Sequence, residues 1–195
     1  MNYSAIKDFD IANGPGVRVS LFVSGCTRHC AGCFNSDTWD FNAGKLFTPD
    51  TAALILDKLS VKTKTGLSVL GGEPFEPQNI GEVRKLVEAA KRHAPDKTIW
   101  AWTGYTYEEL FELAKHSVDI QGALQCIDVL VDGPFKLENK ELLRFRGSTN
   151  QRFIDVKKSM PNGVFAPVPV EWHDEEIYAH HWWPGTTLNE VADAD

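Results

Sequence analysis

Three cysteines stand close together in this chain, Cys26-Thr-Arg-His-Cys30-Ala-Gly-Cys33, a C-x₃-C-x₂-C spacing. Thiolates are the natural ligands of iron–sulfur clusters, and a cubane 4Fe–4S cluster has four iron corners. Three thiolates on one tight loop can hold three corners and leave the fourth iron open to a small ligand. A structural zinc site asks instead for four closed ligands, commonly from paired Cys-x₂-Cys units. Only one such pair exists here. Cys126 lies far along the chain, and His29 is the candidate fourth ligand inside the loop, so a non-catalytic zinc-binding module stays open as the alternative. A second chemical element is Gly71-Gly72-Glu73-Pro74. Its glycines let another group approach the backbone closely, and exposed carbonyls or the Glu73 carboxylate can accept a hydrogen bond from an ammonium.

The segments that must position these residues alternate between strand and helix patterns. Val17 to Val23 is rich in β-branched and apolar residues, as a buried strand is, and runs straight into Ser24-Gly25-Cys26. Leu67 to Leu70 reads as a strand ending in the Gly-Gly-Glu turn. Thr98 to Trp102 ends in Thr103-Gly104-Tyr105, Ile127 to Val131 ends in Asp132-Gly133-Pro134, and Phe153 to Val156 is a weaker fifth strand. Helix signals lie between them. Thr48 is an N-cap before Pro49, with Leu54, Ile55, Leu56 and Leu59 as the buried face. Asn79 and Glu82 have capping-box spacing ahead of the apolar stripe Ile80, Val83, Leu86, Val87 and Ala90. Thr106 and Glu109 repeat that spacing before Leu110, Phe111, Leu113 and Ala114.

Such alternation predicts an α/β fold of parallel β-α units, with ligands bound beyond the carboxyl ends of the strands. The cysteine loop and the three turns then converge on one rim. A full eight-fold barrel takes about 250 residues, and this chain has 195. The expectation is a partial, open parallel β/α barrel forming a single domain over residues 1–195, with an irregular C-terminal tail from about residue 164, where prolines and tryptophans crowd. The composition, 43% hydrophobic and 24% charged, is that of a globular protein. A net charge of −7 argues against a nucleic-acid surface. No apolar run is long enough for a membrane helix. Lys7, Asp8 and Asp10 occupy the place of a signal peptide's apolar core. The chain reads as cytoplasmic, where clustered cysteines serve metal or redox chemistry and not disulfides.

The cysteine spacing and the Gly-Gly-Glu-Pro turn resemble the radical S-adenosylmethionine (SAM) superfamily. Within it the chain is similar to the activating proteins of anaerobic ribonucleoside-triphosphate reductases, from about Met1 to Val156. The matching segments are Asn13 to Arg18, Ser20 to Asn35, Thr38-Trp39, Gly71 to Pro74, Pro77 to Asn79, Trp102 to Tyr105, Val129 to Gly133 and Arg146 to Gln151. The resemblance implies that Cys26, Cys30 and Cys33 ligate a 4Fe–4S cluster whose open iron is chelated by SAM. It implies further that Gly71, Gly72 and Glu73 contact the SAM amino group, and that Gly32, Cys33 and Phe34 lie at the cofactor. The superfamily's aromatic residue before the third cysteine is Gly32 here, and the aromatic follows at Phe34, where it either stacks near adenine or belongs to the core. The implied activity is that of a radical SAM oxidoreductase. It cleaves SAM reductively and abstracts an α-hydrogen from a glycine of the reductase. The implied partners are that reductase, an electron donor such as flavodoxin, and a second copy in a homodimer. An activase of the pyruvate formate-lyase type, or a small-molecule radical SAM enzyme, is the alternative in the same chemistry.

Other residues carry two readings each. Arg18 follows a Gly-Pro-Gly loop and is either structural or part of the site. Asp132 ends a strand at the rim, yet Asp-Gly is ordinary turn chemistry. Arg144, Arg146 and Arg152 either steer an acidic partner or form a solvated face. Cys126 reads as a small buried apolar side chain, and His173, His180 and His181 as metal ligands or surface histidines.

Overall fold

A computed structural model of the protein describes residues 1–179. Eight strands form one open sheet: β1 (Asn2–Asp10), β2 (Arg18–Val23), β3 (Lys45–Leu46), β4 (Gly66–Gly71), β5 (Thr98–Trp102), β6 (Val129–Asp132), β7 (Arg152–Asp155) and β8 (Val170–Trp172). Five helices accompany them: α1 (Pro49–Leu59), α2 (Ile80–His93), α3 (Tyr107–Ala114), α4 (Val118–Cys126) and α5 (Asp174–Ala179). The strand order is β3-β1-β2-β4-β5-β6-β7-β8. β2, β4, β5 and β6 run parallel, which puts their carboxyl ends at one rim. The fold is α/β, and its sheet does not close.

Side chains alternate across the parallel strands, and the two faces differ. Val19, Leu21, Val23, Leu67, Val69, Ile99, Ala101 and Leu130 pack with the buried residues of α1, α2, α3 and α4 in one large core. All four long helices therefore cover the same face. On the opposite face, Trp100, Val129, Val131 and Phe153 form a second, smaller cluster with Ile177 of α5. Strands covered on both faces read as near-continuous apolar runs, which is how β2 and β4 announce themselves.

Several expectations are corrected. The fifth strand, β7, is antiparallel to β6, because no helix intervenes to carry the chain back across the sheet. β1 adds an antiparallel strand beside β2 that its mixed polar sequence conceals. The segment from 164 is not wholly irregular: β8 pairs with β7 and α5 follows it. Leu54 and Leu113 are exposed; Ile55, Leu59, Leu110 and Ala114 carry the helix faces inward. The Thr48 and Thr106 capping boxes are present, the first with Thr51 as its partner. Asn79 heads α2 without capping it; its amide is used elsewhere. His180, His181 and the Trp182-Trp183 pair lie outside the described residues.

Candidate functional site

The chain leaves β2 into a loop that folds back on its own end. Gly25 N–H donates to the Thr38 carbonyl at 2.7 Å and Cys26 N–H to the Trp39 carbonyl at 3.0 Å. Gly25 has φ +99°, and a Cβ there would lie 2.1 Å from the Phe41 ring, so only glycine fits. Cys33 N–H closes a turn onto the Cys30 carbonyl at 3.1 Å, and Asn35 N–H donates to Cys33 Sγ at 3.4 Å. The three thiols are free, half-buried, and line one cavity of about 540 Å³. Burial pushes the Cys26 thiol up to about 11. Burial also raises Cys30, with the neighbouring Cys33 adding to the shift. Among the described residues no three His, Cys, Asp or Glu side chains converge as the ligands of a single ion would. His29 stacks on Trp39 instead, ring centroids 4.6 Å apart. Cys126, at the end of α4, packs against the helix-side core and has no place in the cavity wall.

The turn after β4 runs along the start of the cysteine loop. Gly72 N–H donates to the Val23 carbonyl and Glu73 N–H to the Gly25 carbonyl, both at 2.8 Å. A Cβ on Gly72 would lie 2.5 Å from the Gly25 oxygen. No donor among the described residues reaches the Gly72 carbonyl. Glu73 is buried, and its carboxylate is already engaged by the protein. It accepts from Thr103 Oγ1 at 2.8 Å, Gly104 N–H at 2.7 Å and Phe75 N–H at 3.0 Å. Burial still holds it up at about 7. Of the two acceptors expected for an ammonium, the backbone carbonyl is the free one and the carboxylate is a positioning group.

Glu76, which sequence reasoning missed, and Asn79, which it read as a helix cap, complete this joint. Glu76 accepts from Thr27 N–H at 2.8 Å and from the Thr27 hydroxyl. Asn79 donates its amide to the Ser24 carbonyl at 3.0 Å and the Glu73 carbonyl at 2.9 Å. Glu73, Glu76 and Asn79 recur at three-residue intervals and all turn back to the cysteine loop or its partners. That spacing of polar residues just ahead of an amphipathic helix was the available signal.

Arg28 brings the Thr-Gly-Tyr turn into the same joint. Its Nε stands 4.0 Å from Glu73 Oε2, its Nη2 3.4 Å from Glu109, and its guanidinium lies 4.0 Å over the Tyr105 ring. A Cβ on Gly104 would meet Arg28 Cδ at 2.3 Å, so the glycine makes room for the arginine stem. Across the cavity, Gln151 donates to the Gly133 carbonyl at 3.1 Å and accepts from Gly147 N–H at 2.8 Å. Arg146 donates to the Gln151 carbonyl and grips both Asp174 oxygens at 2.6 and 2.7 Å, which couples α5 to the cavity wall.

The structure thus gathers Cys26, Cys30, Cys33, Phe34, Gly71, Gly72 and Glu73 around one cavity. Phe34 is not core: it is 63% exposed at the mouth, edge-on to Phe135. Gly32 is not in the wall. It takes φ +71° in the loop and backs onto Leu137. Arg18 lies at the amino end of β2, away from the rim. Fully buried, it donates to Ser68 Oγ, Thr98 Oγ1, the Leu67 carbonyl and the Thr98 carbonyl. Asp132 is buried in an ion pair with Arg152 and accepts from Tyr107 N–H, so it is structural. Arg146 and Arg152 are committed to internal carboxylates, not to a free basic face. His173 is exposed, and its N–H donates to Glu176.

A family profile described as "4Fe-4S single cluster domain" matches residues 12–154. Over 154 residues the chain is 42% identical to the anaerobic ribonucleoside-triphosphate reductase-activating protein of Enterobacteria phage T4, covering 78% of this chain and 92% of that protein. It is 44% identical over 154 residues to the protein of that name from Vibrio cholerae serotype O1, covering 77% and 96%. The protein of that name from Escherichia coli K12 is 43% identical over 155 residues, with the same coverages of 77% and 96%.

Proposed function

We propose a glycyl-radical-activating reaction for this site, from the premise that the chain belongs to the family of anaerobic ribonucleoside-triphosphate reductase-activating proteins. Cys26, Cys30 and Cys33 would hold three corners of a 4Fe–4S cluster. The donor set fits that group: three free thiols on one loop, facing one cavity, with a backbone N–H already aimed at the Cys33 sulfur. When bound and reduced, the cluster supplies one electron to the SAM sulfonium, releasing methionine and a 5′-deoxyadenosyl radical.

This chain's residues do the remaining work. The Gly72 carbonyl accepts from the SAM ammonium, which the missing side chains of Gly71 and Gly72 let approach. Glu73, Glu76 and Asn79 hold that turn against the cysteine loop, so that cofactor and cluster share one frame. Phe34, Phe135 and Trp102, the last tied by its indole N–H to the Phe145 carbonyl at 2.7 Å, give the cavity an aromatic wall that excludes water. A glycine of the reductase enters at the mouth. There its Cα hydrogen would pass to the 5′-deoxyadenosyl group as 5′-deoxyadenosine, and the radical would remain on the glycine.

On this reading the open sheet, with its long helices on one face, serves as a half-barrel of the radical SAM type whose open side admits a macromolecular substrate. An electron donor of the flavodoxin kind, a cytoplasmic setting and a homodimeric state go with this reading. No helix among the described residues is long and apolar enough to cross a membrane.

The observation that carries the proposal is the meeting of the three thiols and the bare Gly71-Gly72 turn in one cavity beyond the carboxyl ends of the parallel strands. Anaerobically reconstituted protein, reduced and given SAM and the reductase, is expected to yield a glycyl radical doublet by electron paramagnetic resonance. Methionine and 5′-deoxyadenosine should accumulate alongside it. A reductase with Ala at its radical glycine should stay silent. SAM consumption with rearrangement of a small metabolite, and no radical on the reductase, replaces this reading with that of a small-molecule enzyme.

A further inference from the structure

We infer that the segment from Lys136 to Arg144 is the docking edge for the glycine-bearing chain of the reductase, with Leu142 as its principal apolar contact. This deepens the proposed function and rests on it.

Leu142 lines the cavity yet has the exposure of a free residue, 102%. Phe34 lines the same cavity and is 63% exposed, whereas Leu137, 51% exposed, packs against Gly32 and is not in the wall. Single exposed apolar residues are ordinary, but two large ones on the wall of one site mark an interaction surface. The segment is also held in place. Lys140 bridges to Ser148, Thr149 N–H donates to the Asn139 carbonyl at 2.9 Å, and Lys136 N–H donates to Ser148 Oγ at 3.3 Å. Between these anchors no hydrogen bond joins the Leu142 backbone to another described residue. A fixed edge with an apolar side chain and unpaired backbone groups suits an extended polypeptide, which can take both kinds of contact.

The geometry commits to that occupant. A cavity of about 540 Å³ that holds a cofactor has no room for a folded domain, so the target glycine arrives on an extended stretch of chain. A stretch that lies along this segment brings its glycine into the cavity that Leu142 shares with the thiols. Residues flanking the glycine, and not the glycine itself, are then what Leu142 reads.

The test uses the reconstituted full-length protein. Leu142→Asp and Leu142→Ala are compared with wild type, with iron content and circular dichroism as checks on the fold. SAM cleavage by the reduced protein without reductase is measured for each variant, and radical formation is expressed per SAM cleaved, because Leu142 lines the cofactor's cavity. Glycyl radical formation at sub-saturating reductase should fall at least tenfold in Leu142→Asp and less in Leu142→Ala, with the loss recovered in part at high reductase concentration. In parallel, a photo-crosslinking amino acid at position 142 should capture the reductase on the peptide that carries its radical glycine. Wild-type radical yield and KM for the reductase in Leu142→Asp overturn the inference and leave the proposed function standing. So does a crosslink that maps only to a second copy of this chain. A wild-type protein that cleaves SAM and leaves the reductase radical-free overturns both.

Discussion

At the scale of single residues, the thiols carry the most direct consequences. Three ligands for four corners leave no spare, so Cys30→Ala is expected to reduce bound iron to near zero after anaerobic reconstitution. Cys126→Ala, on the far side of the core, should keep wild-type iron per chain. Acidity matters as well. Cys26 is raised from its ordinary 9.0 to about 11 by burial, and Cys30 is raised too. At neutral pH the apoprotein therefore holds protonated thiols, and ligation must displace those protons. Apparent affinity for the assembling cluster accordingly rises with pH while the thiols remain protonated in the apoprotein. Reconstitution followed by visible absorbance from pH 7 to pH 9 should show yields climbing with pH at fixed iron and sulfide. A yield that stays flat over that range would mean the thiols are already ionised in the apoprotein. The cysteine triplet and the Gly-Gly turn were readable because their chemistry is local. Glu76 and Asn79 were not, because their partners Thr27 and Ser24 are distant in sequence and meet them only in the folded chain.

At the scale of elements, the joint between the end of β2 and the turn after β4 depends on one amide. Asn79→Ala leaves the Ser24 carbonyl without its donor, while the Glu73 carbonyl keeps the Glu76 N–H at 3.2 Å. A cost of about 2 kcal/mol is expected from an unpaired buried group, read as a lower urea midpoint of the apoprotein. Asn79→Asp should cost more, since it sets an acceptor against acceptors. A change within experimental error in both would mean that water or a neighbouring donor replaces the amide. The four parallel strands could be read from their apolar runs and closing glycine turns, and the N-cap of α1 and the capping box of α3 from residue type and spacing. β1 could not, because Lys7, Asp8 and Asp10 interrupt its pattern. α4 escaped for another reason: Gly122 and the β-branched Val118 and Ile120 are weak helix formers, and packing against α2 and α3 overrides that weakness. The direction of β7 was available in principle, since the stretch from Gly133 to Gln151 contains no helix pattern to carry a parallel return.

At the scale of the whole molecule, the two faces of the sheet are sealed by different parts of the chain. The outer face is covered by α1 to α4, and the inner one by Ile177 against Trp100 and Phe153. Ile177→Ala is expected to destabilise the fold by about 2–5 kcal/mol, the range for emptying a buried aliphatic site, with increased binding of a hydrophobic dye. A loosely attached tail would show neither effect in thermal unfolding. The family profile ends at residue 154, yet the Arg146–Asp174 pair ties β8 and α5, beyond that point, to the cavity wall. Order of synthesis gives this arrangement a further meaning. The thiol loop and all four parallel strands precede residue 133, whereas the residues that seal the inner face come some forty positions later. Chains fold from the amino end as they emerge, so on the ribosome the rim takes shape while the inner face is still bare. The rim therefore presents its thiols before Ile177 covers Trp100 and Phe153, and they remain open to the cavity afterwards.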